Sequence, residues 1–520
     1  MRFHSRFLRW IVFGVFFCLP LSSSAVSPKT FTFRLLGDPE TLDWNRAHTP
    51  IETFLMMNLM EGLVAVESST QPIPALAESW KQSADQRTYT FKIRKGVRWS
   101  DGVFLQADDF AFSWQRLLTP STAAAYAYLL FDIEGAEDFY KGKIKDFSKV
   151  GIKVLDPYTL QVRLNKPIAH WIYIPSFWVT FPMRKDIVSK AGEAWAKPGR
   201  MQTVGPFTLE SYDFDSKIVL KANPHYYAKR GNIEKVVALI VKDDSTALSL
   251  YESGKFDVLT DLSIVDLNRL HSRSDLKTFP YLKTAYMGFV TDKYPISNVK
   301  VRRAISMAID KSKIEGVLHG KQSAATSFVP PKISGHSPRL GLKYDPVQAK
   351  AELRGSGVDT TRPITIDLLI PNWDKTMTLA QFIQAEIKKN LNVTLNIISF
   401  DNKTFRAQLD LKSFPIFITS WSADYPDPDN FLSVFTSASG NNRTAWKSEK
   451  FDAQVVQARQ GSSTSVRTKT YLEMQKQILE NDVIILPLYY EPNLALVQKR
   501  VRGFEINPMN YIFLKKVNVE

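Results

Sequence analysis

The sequence predicts a mixed α/β protein built from several lobes, and three observations support this fold class. The chain has 520 residues, which is more than one compact core usually holds. Stretches with strand periodicity alternate with stretches of helix periodicity, and some strand patterns follow one another directly, as antiparallel pairs do. With 44% apolar and 23% charged residues, the composition is that of an ordinary globular protein. No internal repeat or low-complexity tract points to a solenoid or fibrous architecture.

The N-terminal segment predicts a secretory signal peptide at residues 1–25. It begins with the basic stretch "MRFHSRFLRW", continues with the apolar stretch "IVFGVFFCLPL", and ends with small residues at Ser23 and Ala25. The apolar stretch is too short to span a membrane comfortably, so we expect cleavage after Ala25. Lipidation at Cys18 is the alternative, although the large Phe17 stands where a small residue is needed. Cys18 is the only cysteine, so the cleaved chain has no disulfide or thiol chemistry.

The net charge is strongly positive, but its distribution does not indicate a nucleic-acid-binding protein. The formal charge is +15, and removal of the three arginines of the signal leaves 64 basic and 52 acidic residues, or +12. The basic residues are scattered, and no zinc-finger, basic-zipper or single-strand-binding motif accompanies them. We therefore expect a solvated basic surface, a mild preference for acidic ligands and no nucleic-acid partner.

Alternating apolar residues predict the strands of the first half of the chain. After the signal, "FTFRLLG" has the pattern of a strand that runs into the turn "DPETLDW". "IETFLMMNLMEGLV" predicts a helix, with apolar residues at steps of three and four. "RTYTFKIRKGVRWSDG" alternates Tyr89, Phe91 and Ile93 with polar residues and ends in a Ser-Asp-Gly turn, and "TLQVRL" repeats the alternation.

The second half contains the strongest helix pattern. "NVKVRRAISMAIDKSKIEGVLHG" predicts one helix that is capped by Asn298 and ends at Gly316 or Gly320. "PITIDLLIPN", "NVTLNIISF" and "FPIFITSW" predict three more strands, and "TLAQFIQAEIKKNL" predicts a helix between the first two.

The stretch "ITSWSADYPDPDNFL" contains an acid without an evident structural task. Asp427 fits the N-cap of a short helix, because Pro428 suits the first helical position and the Asp427 carboxylate can accept a bond from an unpaired amide. Asp424 precedes this cap at the end of a predicted strand. A carboxylate held in a cleft at such a position can bind an amine through a charge-assisted hydrogen bond. Stabilisation of its own turn is the structural alternative.

Signatures of catalysis and of metal binding are missing from the sequence. Neither G-x-S-x-G nor H-E-x-x-H occurs, and "GVLHGKQS" lacks the spacing of a phosphate-binding loop. The seven histidines are isolated, with no partner at ligand spacing. We therefore predict neither a cofactor nor a metal site, and no enzymatic activity. Carboxylates that are distant in sequence could still meet in space.

Seven blocks, in order, resemble the family-five solute-binding proteins, the peptide- and nickel-binding receptors of ABC importers. The blocks are "PETLDW", "EGLVAVESSTQPIPALAESW", "YTFKIRKGVRWSDG", "LQADDFAFSWQRLLTP", "GPFTLESYDFDSKIVLKANPHYY", "NVKVRRAISMAID" and "DVIILPLYY". Three further stretches, "SWQRLLTPSTAAAYAYLL", "WAKPG" and "SWSADYPDPDNFLSVF", are similar to the oligopeptide receptors within this family.

The resemblance implies a three-lobed periplasmic-binding-protein fold of type II, cluster C. Two binding lobes would close over the ligand about a hinge, and an extra inserted lobe would accompany them. The implied ranges are 26–50 with 185–282 and 491–520 for lobe I, 51–184 for the inserted lobe II, and 283–490 for lobe III.

The resemblance also implies where the ligand binds. A peptide would lie extended between the lobes, paired through its main chain like an added strand, and an aspartate in the block W-x-A-D-Y would hold its α-amino group. In this sequence that aspartate is Asp424. The other implied ligand-binding residues are Trp421, Ser422, Ala423, Asp38, Tyr126, Tyr281 and Tyr489.

Three departures concern the far end of the ligand. Where the oligopeptide receptors carry an arginine three residues before the block's tryptophan, this chain has Ile418. Asn402 replaces a cleft tryptophan, and a histidine that can serve the ligand's C-terminus is missing from "PNWDKTMT", although Lys375 is close by. The amine anchor is thus retained while the carboxylate anchor is not, which suggests a shifted ligand class.

The function predicted from the sequence is that of a periplasmic receptor of an ABC importer. It would bind short peptides reversibly and deliver them to ABC permease subunits in the inner membrane, as a monomer without a cofactor. Cell-wall (murein) peptides and a nickel or other metal chelate are the alternatives within the family. A secreted hydrolase is the alternative from another class.

Overall fold

The computed structural model describes residues 1, 28–461 and 463–520. The predicted signal cleavage site and Cys18 lie outside the described residues. Within the described ranges, no helix combines the length and the apolar character needed to cross a membrane.

The described residues form 21 strands and 14 α-helices, together with short 3₁₀ turns. The strands are β1 (Thr30–Leu35), β2 (Val64–Val66), β3 (Pro72–Pro74), β4 (Ala77–Gln82), β5 (Thr88–Ile93), β6 (Ile152–Asp156), β7 (Thr159–Arg163), β8 (Phe207–Asp213), β9 (Lys217–Ala222), β10 (Lys235–Ile240), β11 (Val258–Leu259), β12 (Leu276–Phe279), β13 (Lys283–Phe289), β14 (Ser323–Ala324), β15 (Ile364–Pro371), β16 (Val393–Phe400), β17 (Ile416–Ser422), β18 (Ile485–Tyr490), β19 (Asn493–Val497), β20 (Val501–Arg502) and β21 (Asn518–Val519). The helices are α1 (Pro50–Leu59), α2 (Ala107–Leu118), α3 (Ala136–Tyr140), α4 (Lys185–Ala191), α5 (Asp244–Glu252), α6 (Ile264–Leu270), α7 (Val299–Met307), α8 (Ile314–Leu318), α9 (Pro346–Arg354), α10 (Asp374–Leu391), α11 (Asn402–Asp410), α12 (Pro428–Leu432), α13 (Glu449–Gln460) and α14 (Thr464–Lys476).

A seven-stranded sheet draws its strands from three separate parts of the chain. Its order is β12-β19-β11-β1-β10-β9-β8, with β1 parallel to both β10 and β11. Phe31, Phe33 and Leu35 of β1 are buried, as the predicted strand requires. Chain segments that are distant in sequence therefore share one hydrophobic core.

A four-stranded antiparallel sheet, β4-β5-β7-β6, is formed by a single continuous part of the chain. In β5, the predicted alternation is confirmed, since Tyr89, Phe91 and Ile93 are buried while Thr88, Thr90 and Lys92 are partly or fully exposed. One hydrophobic cluster joins this sheet to the seven-stranded one.

A six-stranded sheet, β14-β18-β13-β17-β15-β16, is the third large sheet of the structure. It is mixed, because β15 runs parallel to β16 and β17 whereas β13 runs antiparallel to β17 and β18. Separate hydrophobic clusters cover its two faces. The chain passes between this sheet and the seven-stranded sheet twice, through residues 280–282 and 491–492.

The prediction of one long helix after Asn298 is wrong in its extent. Asn298 caps α7 as expected, but the helix ends at Met307. Asp310 then caps a 3₁₀ turn by accepting a bond from Ser312 N, and a second helix, α8, follows. This second helix ends at Leu318, and its C-cap residue, which takes the left-handed conformation, is His319 and not either glycine. A capping side chain inside the periodic stretch thus divides it into separate helical segments.

Candidate functional site

The candidate site begins where strand β17 ends beside β13. Trp421 and Ser422 pair with Thr284 and Lys283 of β13, and Ala423 N donates to Leu282 O at 2.9 Å. The chain then leaves the sheet at Asp424 and enters α12, which Asp427 caps through a bond from Asp429 N, as predicted. The strand end therefore fixes the backbone from which Asp424 projects.

Asn430 of α12 holds the Asp424 turn in place. Its Oδ1 accepts bonds from Trp421 Nε1 at 3.0 Å and from Asp424 N at 3.1 Å. Its Nδ2 donates to Asp424 Oδ2 at 3.3 Å. Within the described residues this amide is the one hydrogen-bond partner of the Asp424 carboxylate. The carboxylate therefore stabilises its own turn through one hydrogen bond and can accept further bonds from a ligand.

The Asp424 carboxylate is half-buried and forms no ion pair with any cation among the described residues. Burial raises its pKa above the ordinary value of 3.8, while the Asn430 hydrogen bond opposes that rise. The pKa values of Tyr126, Tyr128 and Tyr511 are raised by burial first and by the nearby Asp424 charge second. A desolvated carboxylate amid aromatic rings is suited to an ammonium ion, which both the charge and the ring faces attract.

The predicted residues divide between the surroundings of Asp424 and more distant places. Tyr126 lies near Asp424 and packs edge-on against Trp178, with ring centroids 5.5 Å apart. The Tyr281 hydroxyl is 3.2 Å from Ser422 Oγ, which places it at the same strand end. Tyr489 lies with Trp421 in a neighbouring cavity.

Asp38 is held within the seven-stranded sheet region. Its carboxylate accepts bonds from the Tyr212 hydroxyl at 2.9 Å and from Asp215 N at 3.0 Å. Among the described residues, no hydrogen bond joins Asp38 to the Asp424 block.

Sequence reasoning missed three residues around Asp424. Tyr128 stands two residues after Tyr126 in "AAAYAYLL", and the spacing of the two tyrosines was the one signal that could have indicated it. Asn430 stands in the helix start "DPDNFL", where an amide gives no distinct signal. Tyr511 comes from the C-terminal segment, and nothing in the local sequence indicates where its ring lies.

A cavity of about 480 Å³ adjoins this site and is called the basic cavity below. It is lined by residues of β13, β15, β17, α10 and α11 together with Asn441, Arg443, Tyr489 and Glu491. Trp421 is part of its wall and connects it to Asp424 through Asn430. Ile418 and Asn402, which depart from the oligopeptide-receptor pattern, line it, as does Lys375 of the stretch that lacks the histidine.

Two ion pairs lie in the wall of the basic cavity. Lys375 contacts Glu491, and Arg443 lies 2.7 Å from Asp410. Burial raises the pKa of Glu491, but Lys375 and Lys283 outweigh burial and hold that pKa below its ordinary value. Lys283 and Arg406 also line the cavity, and neither forms an ion pair with any residue that the structure describes.

No arrangement suited to a metal ion occurs in residues 28–461 and 463–520, since no three His, Cys, Asp or Glu side chains there converge.

Comparisons with known proteins agree on one family. The profile of the bacterial extracellular solute-binding proteins, family 5 Middle, matches residues 71–443. The periplasmic oligopeptide-binding protein OppA of Salmonella typhimurium is 30% identical, over 93% of this chain and 91% of its own. The probable deoxycholate-binding periplasmic protein YgiS of Escherichia coli is 29% identical over 96% of each chain.

Among solved structures, the unliganded open form of the periplasmic murein tripeptide binding protein MppA matches with a TM-score of 0.84. The identity is 28%, and the match covers 95% of this chain and 98% of MppA. The predicted α/β fold of the periplasmic-binding-protein type is thereby confirmed. The chain belongs to the bacterial extracellular solute-binding proteins of family 5.

Proposed function

We propose that this protein is the receptor of an ABC importer, and that it captures short peptides between its lobes and delivers them to a membrane permease. The observation that carries the proposal is Asp424, a half-buried carboxylate at a strand end that lies close enough to Tyr126, Tyr128 and Tyr511 to raise their pKa values and that forms no ion pair with any described residue. The α-amino group of a peptide supplies the missing positive charge. Beyond Phe417, β17 pairs with β13 but not with β15. The unpaired edge can offer main-chain groups to a peptide, so recognition is independent of the first side chain.

The proposed lobes follow the ranges 26–50 with 185–282 and 491–520, then 51–184, then 283–490. The two short crossings at 280–282 and 491–492 support a hinge between the seven-stranded and six-stranded sheets. Closure about it would be favoured only as far as the peptide binds the closed state better than the open one.

The proposed place of action is the periplasm, where the protein works as a monomer and without catalysis. The likeness to OppA, YgiS and MppA supports that location, since all three are periplasmic proteins. The names of the relatives describe binding and not turnover, which supports a receptor over a hydrolase.

Murein peptides are a variant of the same proposal. They carry a free amine and several carboxylates, which suit Asp424 and the basic cavity together. The likeness to MppA, a murein tripeptide binding protein, supports this variant.

A second candidate is a steroid carboxylate such as deoxycholate, named for the relative YgiS. The basic cavity favours it, because the cavity combines apolar side chains such as Ile418 and Phe405 with cations that lack acidic partners. This ligand has no amine and would not need Asp424.

The test is native mass spectrometry of the purified protein, followed by denaturing release and identification of any bound molecule. Wild type and Asp424→Asn are then titrated with a tripeptide, its N-acetylated form and deoxycholate. Peptide binding that is lost on acetylation and in Asp424→Asn supports the proposal. Equal binding of the acetylated peptide, or binding of deoxycholate alone in both proteins, contradicts it.

A further inference from the structure

The basic cavity carries more positive charge than its own acids neutralise. Its lining contains four cations, Lys283, Lys375, Arg406 and Arg443, but two acids, Asp410 and Glu491. Each acid forms an ion pair with one cation, in the pairs Lys375–Glu491 and Arg443–Asp410, and Lys283 also acts on the Glu491 charge without contacting it as an ion pair. Lys283 and Arg406 therefore remain as an excess of two positive charges facing the same space.

Apolar walls increase the effect of these two charges. Ile418, Leu409 and Phe405 are buried and line the cavity, and Phe405 directly precedes Arg406 on α11. Lys283 is half-buried and Arg406 is exposed. Apolar walls limit the access of water, so a carboxylate that enters the cavity gains more from Lys283 than it would at an open surface. The guanidinium of Arg406 can also hold a carboxylate through two parallel bonds.

The cavity is placed to bind a different part of the ligand from the part that Asp424 binds. Trp421 lines the cavity and donates to Asn430, which in turn contacts Asp424. An amine at Asp424 and an anionic group in the cavity would therefore belong to one short molecule. With about 480 Å³, the cavity has the size of a small-molecule pocket and can accept an acidic side chain together with bridging water.

We propose that this receptor selects peptides that carry a carboxylate close to their free amine, with Arg406 and Lys283 of the basic cavity as the residues that bind it. This inference rests on the proposed function and adds the charge of the ligand to it. The carboxylate can come from an acidic side chain or from the C-terminus of a short peptide. Both sources offer the same chemistry to Arg406 and Lys283.

The probes are Ala-Glu-Ala and Ala-Gln-Ala, each as the free acid and as the C-terminal amide. Calorimetric titrations use wild type, Arg406→Gln, Lys283→Gln and the control Lys403→Gln. Lys403 is exposed on the same helix α11, and its substitution removes the same charge, but it does not line the cavity. Comparison of the two amides isolates the side-chain carboxylate, and comparison of acid with amide for Ala-Gln-Ala isolates the C-terminal one.

In at least one of the two comparisons, wild type should bind the carboxylate-bearing probe about tenfold more tightly than its neutral counterpart, as a charge-assisted bond predicts. The preference should fall below about twofold in Arg406→Gln, decrease in Lys283→Gln and persist in Lys403→Gln. Added salt should reduce it. Binding of the neutral probe by Arg406→Gln shows that this variant is folded.

Equal affinity of wild type for all four probes would show that this inference is wrong while the proposed function stands. The same conclusion follows if Arg406→Gln and Lys283→Gln keep the wild-type preference. If no probe binds wild type, the proposed function fails and this inference fails with it.

Discussion

His170 stacks on Tyr425, with ring centroids 4.6 Å apart and planes that differ by 9°. The contact joins the segment after β7 to the residue that follows Asp424. Tyr425 OH donates to Asp429 Oδ2 at 2.9 Å, and Arg459 Nε donates to Asp429 Oδ1 at 2.7 Å. The two stacked rings therefore adjoin the buried Asp429 carboxylate, which holds the segment that follows Asp424 in place.

Loss of the Arg459 charge should destabilise the protein most at neutral pH. Asp429 is 0% exposed, and although burial raises its pKa, His170 and Arg459 lower it further, to a net value below 3.8. Its stabilising effect is therefore present above pH 3.8 and is lost as pH falls through the lowered pKa. Arg459→Met leaves this carboxylate buried without its main partner, which should cost about 3 kcal/mol of unfolding free energy at pH 7.

Urea denaturation between pH 4 and pH 7 checks this effect of Arg459→Met. The deficit should shrink on acidification, because a stranded Asp429 can take up a proton. The double variant Arg459→Met/Asp429→Asn should recover part of the loss at pH 7. A deficit that is constant with pH would mean that the Arg459 side chain contributes through packing alone.

The affinity for a peptide should decrease on acidification through Asp424. Its pKa in the free protein lies above 3.8, because burial disfavours the charged form. An ammonium ligand requires the carboxylate, so affinity should fall by up to about tenfold per pH unit below this pKa. Above it, affinity should be constant up to about pH 7 and decrease near pH 8, where the peptide's amine loses its proton. Titration of a free-amine tripeptide from pH 8 to pH 4, followed by Trp fluorescence, measures the profile.

Asp424→Asn is the control for the acid-dependent loss of affinity. This variant should bind the tripeptide more weakly by roughly 2–5 kcal/mol, and its residual affinity should show no decrease centred above pH 3.8. If the variant retains the wild-type pH profile, another group accounts for the loss.

Asn430→Asp should move this profile to higher pH. The Asn430 amide lies 3.3 Å from Asp424 Oδ2, so a second carboxylate there faces Asp424 directly. Like charges at this distance hold one proton between them, which raises the apparent pKa of the pair. The substitution also removes the amide's hydrogen bond to Asp424, which raises the pKa of Asp424 further.

Asn441→Asp provides the matched charge change at an exposed amide in the wall of the basic cavity. It should leave the pH at which affinity is lost unchanged, since Asn441 has no contact with Asp424. If Asn430→Asp and Asn441→Asp have the same profile, the Asn430–Asp424 hydrogen bond does not control the site.

Local sequence was sufficient for the strands and for the Asp427 cap, because both depend on residues within a few positions of one another. Periodicity identified β5 and β17, and Pro428 after Asp427 identified the start of α12. The same reasoning failed after Asn298. There the polar cap at Asp310 falls inside a periodic stretch, and periodicity alone cannot separate α7 from α8.

The charge of the basic cavity could not be read from the sequence, because it depends on which ions pair in space. Lys283 and Arg406 come from β13 and α11 and meet only through the pairing of β13 with β17 and the packing of α11 on β15. Arg443 would look equally free in the sequence, but Asp410 neutralises it. Tyr511 reaches the Asp424 region from the far end of the chain for the same reason.

Gly288 leaves room for the Phe417 ring across the β13–β17 pair, and its replacement should destabilise this sheet. The two residues are register partners, and a β-carbon on Gly288 would overlap the ring. Phe417 is buried and packs edge-on against Tyr286, so it cannot move away without disturbing a second ring. We expect Gly288→Ala to lower the free energy of unfolding by about 1–3 kcal/mol, as overpacking does in other cores.

Urea denaturation measures the loss, and Phe417→Leu in the Gly288→Ala background should recover part of it. Gly316→Ala is the control, since no atom lies near its position on α8, and it should be neutral or stabilising by less than about 1 kcal/mol. A loss in Gly316→Ala equal to that in Gly288→Ala would show that the Phe417 ring is not the cause.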